Sequence, residues 1–406
     1  MTKAQFSAKI ECMGYINRAI QPKIEHALAI GRSVLLLGPR QTGKTTLLKH
    51  IKHDLLISFI DPRVRQRYEK DPSLLADELK ALTGSVSKKP LVILDEIQKV
   101  PALMDVVQYL IDDDIAQFIL TGSSARKLKK NKQMNLLPGR VIVFIMDAFS
   151  IEELSNQNIN LLEFILYGSL PGIINTRLQQ DKEALLYSYV TTYLEEEIRA
   201  EAVVRNLSNF SRFLELASAE SGLTVNYSKL SQTIGVANTT IAEYYQILED
   251  CLVAFRIEPL LKSRTRNKLS KSNKYILFDL GVRRLAANEG AQLPTVALGH
   301  LFEQFVGLEL IKLSRLQSER TVLRYWKDLN GPEVDWVVQL ENNLIPLEVK
   351  LTDSPKIDDA RHLKIFLNEY DEAKKAYVVC QAPRVIQLAE NIFALPWQKL
   401  KEIFKS

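Results

Sequence analysis

The segment Gly38-Pro39-Arg40-Gln41-Thr42-Gly43-Lys44-Thr45 has the spacing G-x-x-x-x-G-K-[ST] and is followed by Thr46, a pattern suited to holding a chain of phosphates. Glycines let successive backbone N–H groups wrap the phosphates, and a helix starting at the lysine adds partial positive charge. Lys44 then reaches the β- and γ-phosphates, and Thr45 offers a hydroxyl to Mg²⁺. Further along, "LVILDEI" from Leu91 to Ile97 is an apolar run that closes on two carboxylates, Asp95 and Glu96. A buried parallel strand delivers such residues at its C-terminal end. Asp95 is placed to hold Mg²⁺, directly or through water, and Glu96 to orient or deprotonate the attacking water. The expected cofactors are ATP and Mg²⁺.

Two further groups could support that chemistry. "FILTGSSARKL", Phe118 to Leu128, ends in the hydroxyls of Thr121, Ser123 and Ser124; Ser123 is the expected γ-phosphate sensor, although Gly122-Ser123-Ser124 reads equally well as a turn or helix cap. Arg140 stands at the head of the apolar run "VIVFIM". Its guanidinium could meet transition-state charge in this subunit or in a neighbour, or form a surface ion pair.

The elements that must position these residues are strands near 33–37, 55–60, 91–94, 117–121 and 141–145 with helix-length intervals between several of them. They imply a doubly wound α/β domain over residues 1–150. In this order the strand–P-loop unit, "ILDEIQKVP", "FILTGSSARKL", "PGR", "FSIEEL" and "YGSLPG" resemble the prokaryotic AAA+-like ATPase family in which the ATPase module is fused to a C-terminal domain long described as of unknown function. The resemblance covers nearly the whole chain. It implies that "YINR" leads into the nucleotide pocket, making Tyr15 and Arg18 contacts. It also implies a homo-oligomer, such as a ring, in which a neighbour's arginine completes the site.

Residues 151–282 read as a helical and winged-helix domain. In "YSKLSQTIGVANTTIAEYYQILEDCLVAFRI" two short amphipathic helices meet at Gly235, a helix-turn-helix signature. Leu230, Ile234, Val236, Ile241, Tyr245 and Leu248 are spaced to pack the pair. Asn238, Thr239, Thr240 and Glu243 fall at the start of the second helix, where a recognition helix meets DNA. Strands "VAFRIEPL" and "KYILFDLG" flank a stretch bearing Lys262, Arg264, Arg266, Lys268, Lys271 and Lys274 with no acid among them. Such a wing would neutralise a phosphate backbone, although a solvated loop has the same composition. Arg126, Lys127, Lys129, Lys130 and Lys132 form a smaller basic run.

Residues 283–406 carry "RYWKDLNGPEVDWVVQLENNLIPLEVK", two strands joined by a short polar turn. Pairing Leu340 with Ile345 turns Trp336, Val338, Leu347 and Val349 to an apolar side and sets Asp335 opposite Lys350 on the other face, which also carries Glu348. This constellation resembles PD-(D/E)XK nucleases, in which two carboxylates bind Mg²⁺ or Mn²⁺ and the lysine activates water. Glu303, in "LGHLFEQFVGLELIKL", matches the upstream acid of resolvase-like members and could complete the metal shell. Ion pairs on a docking surface would use the same residues. The expected fold is a restriction-endonuclease-like α/β domain, with "KAYVVC" as a further strand and Trp397 and Phe404 in its core.

Composition narrows the function classes. The 53 basic and 48 acidic side chains leave +5 over 406 residues, and 46% of residues are hydrophobic. Those proportions suit globular domains and say little about nucleic acid by themselves. Cys12, Cys251 and Cys380 are widely separated, which gives neither a disulfide framework nor a zinc site. No apolar run reaches membrane-spanning length, and the N-terminal stretch lacks the apolar core of a signal peptide. A cytoplasmic protein without membrane contact is expected. Its expected function is ATP-dependent processing of DNA, possible branched substrates included. The alternatives are an ATP-dependent switch with an inactive nuclease fold and a nucleotide-gated defence nuclease.

Overall fold

Continuous apolar runs with little alternation belong to strands covered on both faces, and five of them form the first sheet. The structure, a computed structural model, describes residues 14–83, 89–123, 137–157, 160–194, 206–261, 269–328 and 331–405. Helix α1 (Gln21–Ala29) precedes β1 (Ser33–Leu37), α2 (Lys44–Lys49), β2 (Leu55–Ser58), α3 (Pro62–Lys70), α4 (Leu74–Thr83), β3 (Leu91–Asp95), α5 (Leu103–Asp112), β4 (Gln117–Gly122) and β5 (Val141–Ile145). All neighbouring strands are parallel, in the order β2-β3-β4-β1-β5. Alternation in β1 splits the core. Leu35 and Leu37 join Leu79 of α4 and Leu103 and Val107 of α5, while Val34 and Leu36 join Ile24 of α1 and Leu47 of α2. The sheet is therefore sandwiched, and its C-terminal edge is left for ligands.

The next helices are α6 (Leu161–Tyr167), α7 (Pro171–Ile174), α8 (Gln179–Ser188), α9 (Leu207–Ala219), α10 (Tyr227–Ile234) and α11 (Asn238–Asp250). Asn206 and Asn226 cap α9 and α10 by accepting from the N–H groups of Asn209 and Lys229, as expected of asparagine at an N-cap. Gly235 closes α10 at φ 82°, a left-handed turn that glycine enters without Cβ strain. The helices bury Phe213, Leu230, Ile234, Ile241, Tyr245 and Leu248 together. An antiparallel pair follows, β6 (Ala254–Pro259) and β7 (Lys274–Leu277), with Thr224 bridged to Lys274.

Helix α12 (Leu280–Ala286) leads to the long α13 (Thr295–Arg315), then to β8 (Thr321–Lys327), β9 (Glu333–Leu340), β10 (Asn343–Val349), α14 (Arg361–Glu369), β11 (Ala376–Cys380), β12 (Ile386–Ala389) and β13 (Ile392–Pro396). These strands form a second sheet ordered β12-β13-β11-β10-β9-β8-β6-β7. Strands β6 and β7 lie before residue 282, yet Glu258 and Pro259 pair with Arg324 and Tyr325 of β8. The sheet thus continues across that division. Helix α13 covers one face around Trp336 and Leu347, and α14 the other around Trp326 and Phe366. Trp397 is buried and Phe404 packs against the same core.

The α13 C-terminus also grips the end of the first sheet. Lys312 donates to the Phe149 carbonyl at 2.8 Å, Glu309 accepts from the Ile151 N–H at 2.9 Å, and Arg315 pairs with Asp147. Among the described residues no helix is long and apolar enough to cross a membrane, and Cys251 and Cys380 are buried thiols.

Candidate functional site

The turn after β1 runs through Gly43 at φ 95°, a left-handed position that frees the N–H groups leading into α2. Lys44 is buried and folds back over this turn, donating to the carbonyls of Gly38 at 2.8 Å and Pro39 at 2.9 Å. Thr42 donates to the Pro39 carbonyl at 2.9 Å and stiffens the loop. Arg40, Gln41, Gly43, Lys44, Thr45 and Thr46 line a cleft of about 540 Å³ whose other wall includes Glu96, Pro171 and Gly172.

Behind Thr45 and next to Glu96, both of which line this cleft, stands Asp95, which is fully buried. Three hydroxyls donate to its carboxylate: Thr121 at 2.7 Å, Ser58 at 3.1 Å and Thr45 at 3.2 Å. A buried carboxylate needs such partners, and those from Thr45 and Thr121 bring β3, β4 and α2 to one point. This donor set fits a divalent cation between Thr45 and Asp95. Glu96 follows at φ 61°, and its N–H donates to Thr121 Oγ1 at 3.0 Å. Gln98 donates through Nε2 to Glu96 Oε2 and, at 3.2 Å, to Ser123 Oγ. Thr121 is therefore the hydroxyl in contact with Asp95, and Ser123 is a buried partner of Gln98. Sequence spacing does not separate the two, because where β4 ends, at Gly122, decides that Thr121 lies within the strand and Ser123 just beyond it.

Arg18 reaches the loop from the opposite side. Its guanidinium donates to the carbonyls of Thr42 and Asp147, both at 2.6 Å, pairs with Glu153 at 2.9 Å and lies over the Phe149 ring. Tyr15 instead stacks on His50 at 3.6 Å between ring centroids. Arg140 takes the surface alternative within its own chain. Its two bonds to Asp112 are a surface ion pair, and it precedes Val141, which is in register with Ser33. In a parallel sheet that is the edge opposite the P-loop, so within its own chain Arg140 does not reach the cleft.

In the second sheet the hairpin register differs from expectation. Leu340 pairs with Asn343 and Trp336 with Leu347, a slip of two residues set by a tight turn with Glu341 at φ 48°. A two-residue slip preserves the faces. Asp335 consequently sits beside Glu348, rather than opposite Lys350, and accepts the Val349 N–H at 2.8 Å. Lys350 donates to Glu348 Oε1 at 2.6 Å, while Glu348 Oε2 is buried with no hydrogen-bond partner among the described residues. Burial, with Glu303 and Glu348 close by, holds the Asp335 carboxyl well above its ordinary range. Burial also raises Glu348, against the pull of Lys350.

Glu303 faces this cluster from α13 in the company of a lysine that sequence reasoning assigned only to the basic wing. Lys274 is buried, with Nζ 3.3 Å from Glu303 Oε1 and 3.2 Å from Glu333 Oε1 and lying over the Tyr325 ring. His300 Nδ1 stands 3.7 Å from Glu303 Oε2, and Lys327 Nζ 2.6 Å from Glu333 Oε2. Burial raises Glu303, but His300 and Lys274 outweigh it and the carboxyl lies below its usual value. Burial likewise works against the Lys274 charge, yet Glu303, Glu333 and Asp335 together raise it. Among the described residues no group of three or more His, Cys, Asp or Glu is arranged to hold a metal ion. Asp335, Glu348, Lys350 and Glu303 are thus brought together, but the expected metal shell is not formed.

Of the expected nucleic-acid residues, Thr239 is exposed and Thr240 half-buried at the start of α11, and Lys271 is exposed. Lys262, Arg264, Arg266 and Lys268 lie outside the described residues, as do Ser124, the basic run from Arg126 to Lys132, and Cys12.

Residues 31–155 match the AAA domain family, residues 158–293 the Domain of unknown function (DUF8612), and residues 298–400 the Domain of unknown function (DUF4143). An uncharacterized protein of Mycobacterium tuberculosis is 28% identical over 397 residues, covering 96% of this chain and 86% of that protein. One of Methanocaldococcus jannaschii is 26% identical over 326 residues, covering 68% and 67%. A Pyrococcus horikoshii signal transduction ATPase with numerous domains and a tetratricopeptide repeat sensor shares 11% identity, covering 74% of this chain and 47% of that one, with a TM-score of 0.26. The Bacillus subtilis DNA clamp loader delta protein shares 12%, covering 56% and 87%, with a TM-score of 0.23. The family match over residues 31–155 identifies an AAA-type ATPase domain, a nucleotide-binding unit that works with a divalent metal.

Proposed function

We propose that this chain hydrolyses ATP at the β1–β3–β4 edge and uses hydrolysis to act on DNA through its helix-turn-helix segment. The observation that carries the reading is the convergence of the Thr45, Ser58 and Thr121 hydroxyls on buried Asp95, directly behind the cleft lined by Lys44, Thr45 and Glu96. Phosphate oxygens would take over the Lys44 bonds now made to Gly38 and Pro39. Thr45 and Asp95 would hold Mg²⁺, which would neutralise charge on the phosphates. Glu96 orients the attacking water and accepts its proton, held in place by its N–H bond to Thr121 and by Gln98.

DNA as the partner is supported by the exposed start of α11 behind the Gly235 turn, by the antiparallel β6–β7 pair that follows it in winged-helix order, and by the basic stretch between those strands. We read residues 1–150, 151–282 and 283–406 as ATPase, helical and winged-helix, and nuclease-like units, with the β6–β7 pair shared by the last two. The face shared by Asp335, Glu348 and Lys350 supports a nuclease-like fold, and the ion pairs of Lys274 favour one that binds DNA without cutting it.

Fluorescence anisotropy with single-stranded, duplex and branched DNA tests the reading. Affinity should fall about tenfold or more between about 50 and 200 mM salt, and one DNA form should raise the ATPase rate several-fold. Hydrolysis indifferent to every DNA would leave an ATP-dependent switch as the better reading.

A further inference from the structure

The carboxylate face of the second sheet holds more charge than the sequence pattern assigns to it. Glu303 Oε1 and Glu333 Oε1 both point at Lys274 Nζ, while their second oxygens face His300 and Lys327. Glu348 Oε1 is taken by Lys350. The remaining oxygen, Glu348 Oε2, is buried without a hydrogen-bond partner among the described residues, and Asp335 beside it already accepts a backbone N–H. A divalent cation needs several anionic oxygens directed at one point. Here the third donor, Glu303, is turned to the ammonium of Lys274, whose side chain is only 7% exposed.

We propose that Lys274 is a resident counter-cation that holds Glu303 and Glu333 and thereby keeps the Asp335–Glu348 face from binding a divalent metal ion. An ammonium placed among carboxylates satisfies their charge without the octahedral shell that Mg²⁺ or Mn²⁺ demands. It also adds repulsion to any cation arriving at Glu348. The position of Lys274 makes the arrangement durable. Its backbone is fixed by pairing with Ile257 in β6 and by the bridge to Thr224, and its ammonium lies 4.8 Å from the Tyr325 ring centroid, a favourable site for a cation. The proposal rests on reading this face as nuclease-like, but not on any cleavage activity.

The test is Mn²⁺ binding to the full chain without nucleotide, followed by the electron paramagnetic resonance signal of unbound Mn²⁺. Lys274→Met should gain one Mn²⁺ site per chain, about tenfold or more tighter than any wild-type binding. Adding Glu348→Gln to that variant should abolish the gain, and Lys274→Arg should behave as wild type. Circular dichroism establishes that each variant is folded. Where Lys274→Met does not fold, Lys274→Gln combined with Glu333→Gln removes the ion pair from both ends and should show the same gain. Mn²⁺ binding unchanged by removal of the Lys274 charge, or a tight site in the wild type that depends on Glu348, would overturn the proposal. Neither result touches ATP hydrolysis or salt-dependent DNA binding, which are measured separately; only the reading of the last domain as one that does not cut DNA would fall with the proposal.

Discussion

Thr121 Oγ1 donates to Asp95 Oδ1 at 2.7 Å and accepts the Glu96 N–H at 3.0 Å, so one hydroxyl ties the proposed metal-binding carboxylate to the backbone of the proposed base. Thr121→Val keeps the shape and removes both bonds. The expected result is an ATPase kcat lower by about 10- to 100-fold with ATP affinity little changed, since positioning is lost while the P-loop is intact. Thr121→Ser should recover most of the rate. Steady-state kinetics alongside calorimetric ATP titration separates the two effects, and a Thr121→Val enzyme of wild-type rate would remove Thr121 from the site.

Arg18 and Glu153 are both largely buried, with side chains 5% and 7% exposed. Arg18→Ala strips the Thr42 and Asp147 carbonyls of their donor and leaves Glu153 with the N–H groups of Ala19 and Ser150. A stability loss of about 2–4 kcal/mol is expected in urea unfolding, together with weaker ATP binding. Arg18→Lys should not rescue, because one ammonium cannot reproduce a fork spanning three acceptors.

Arg140→Ala should leave ATP affinity within about twofold of wild type, because its ion pair with Asp112 is a solvent-exposed contact at the far edge of the sheet. A large loss of affinity in a calorimetric titration would contradict that placement.

These three residues show what was legible in the sequence. Lys44, Thr45, Asp95 and Glu96 could be named because phosphate and metal chemistry impose local spacing, and the strand positions followed from unbroken apolar runs. Thr121 and Ser123 cannot be ranked from spacing, since the strand end at Gly122 that separates them is set by pairing with β1. For Arg140 the strand head is readable, but the choice between its own cleft and a surface ion pair is not, because strand polarity depends on the whole sheet. In the second sheet the apolar and polar faces of Trp336, Asp335 and Glu348 were readable from alternation, whereas the register depended on the Glu341 turn. Lys274 was hidden among wing lysines because its partners come from α13 and β9, far along the chain.

Asp279 is buried, accepts the Ser169 N–H at 2.8 Å and the Val282 N–H at 3.1 Å, and burial raises its carboxyl above the ordinary 3.8. The folded chain therefore keeps this proton more tightly than the unfolded one. The corresponding stability is present below the ordinary carboxylate range and is lost as pH rises through the folded value. Melting temperatures measured from pH 4 to 8 should fall less with pH in Asp279→Asn than in wild type. Equal slopes would show that Asp279 does not contribute.

The Mg²⁺-dependent ATPase rate of wild type and Glu96→Gln, with ATP binding measured on both, addresses the assignment of Lys44, Asp95 and Glu96 most directly. Wild type should hydrolyse ATP, and Glu96→Gln should bind it with similar affinity while turning over about 100-fold more slowly. Hydrolysis at the wild-type rate in Glu96→Gln, or a wild-type chain that does not bind ATP, would contradict that assignment.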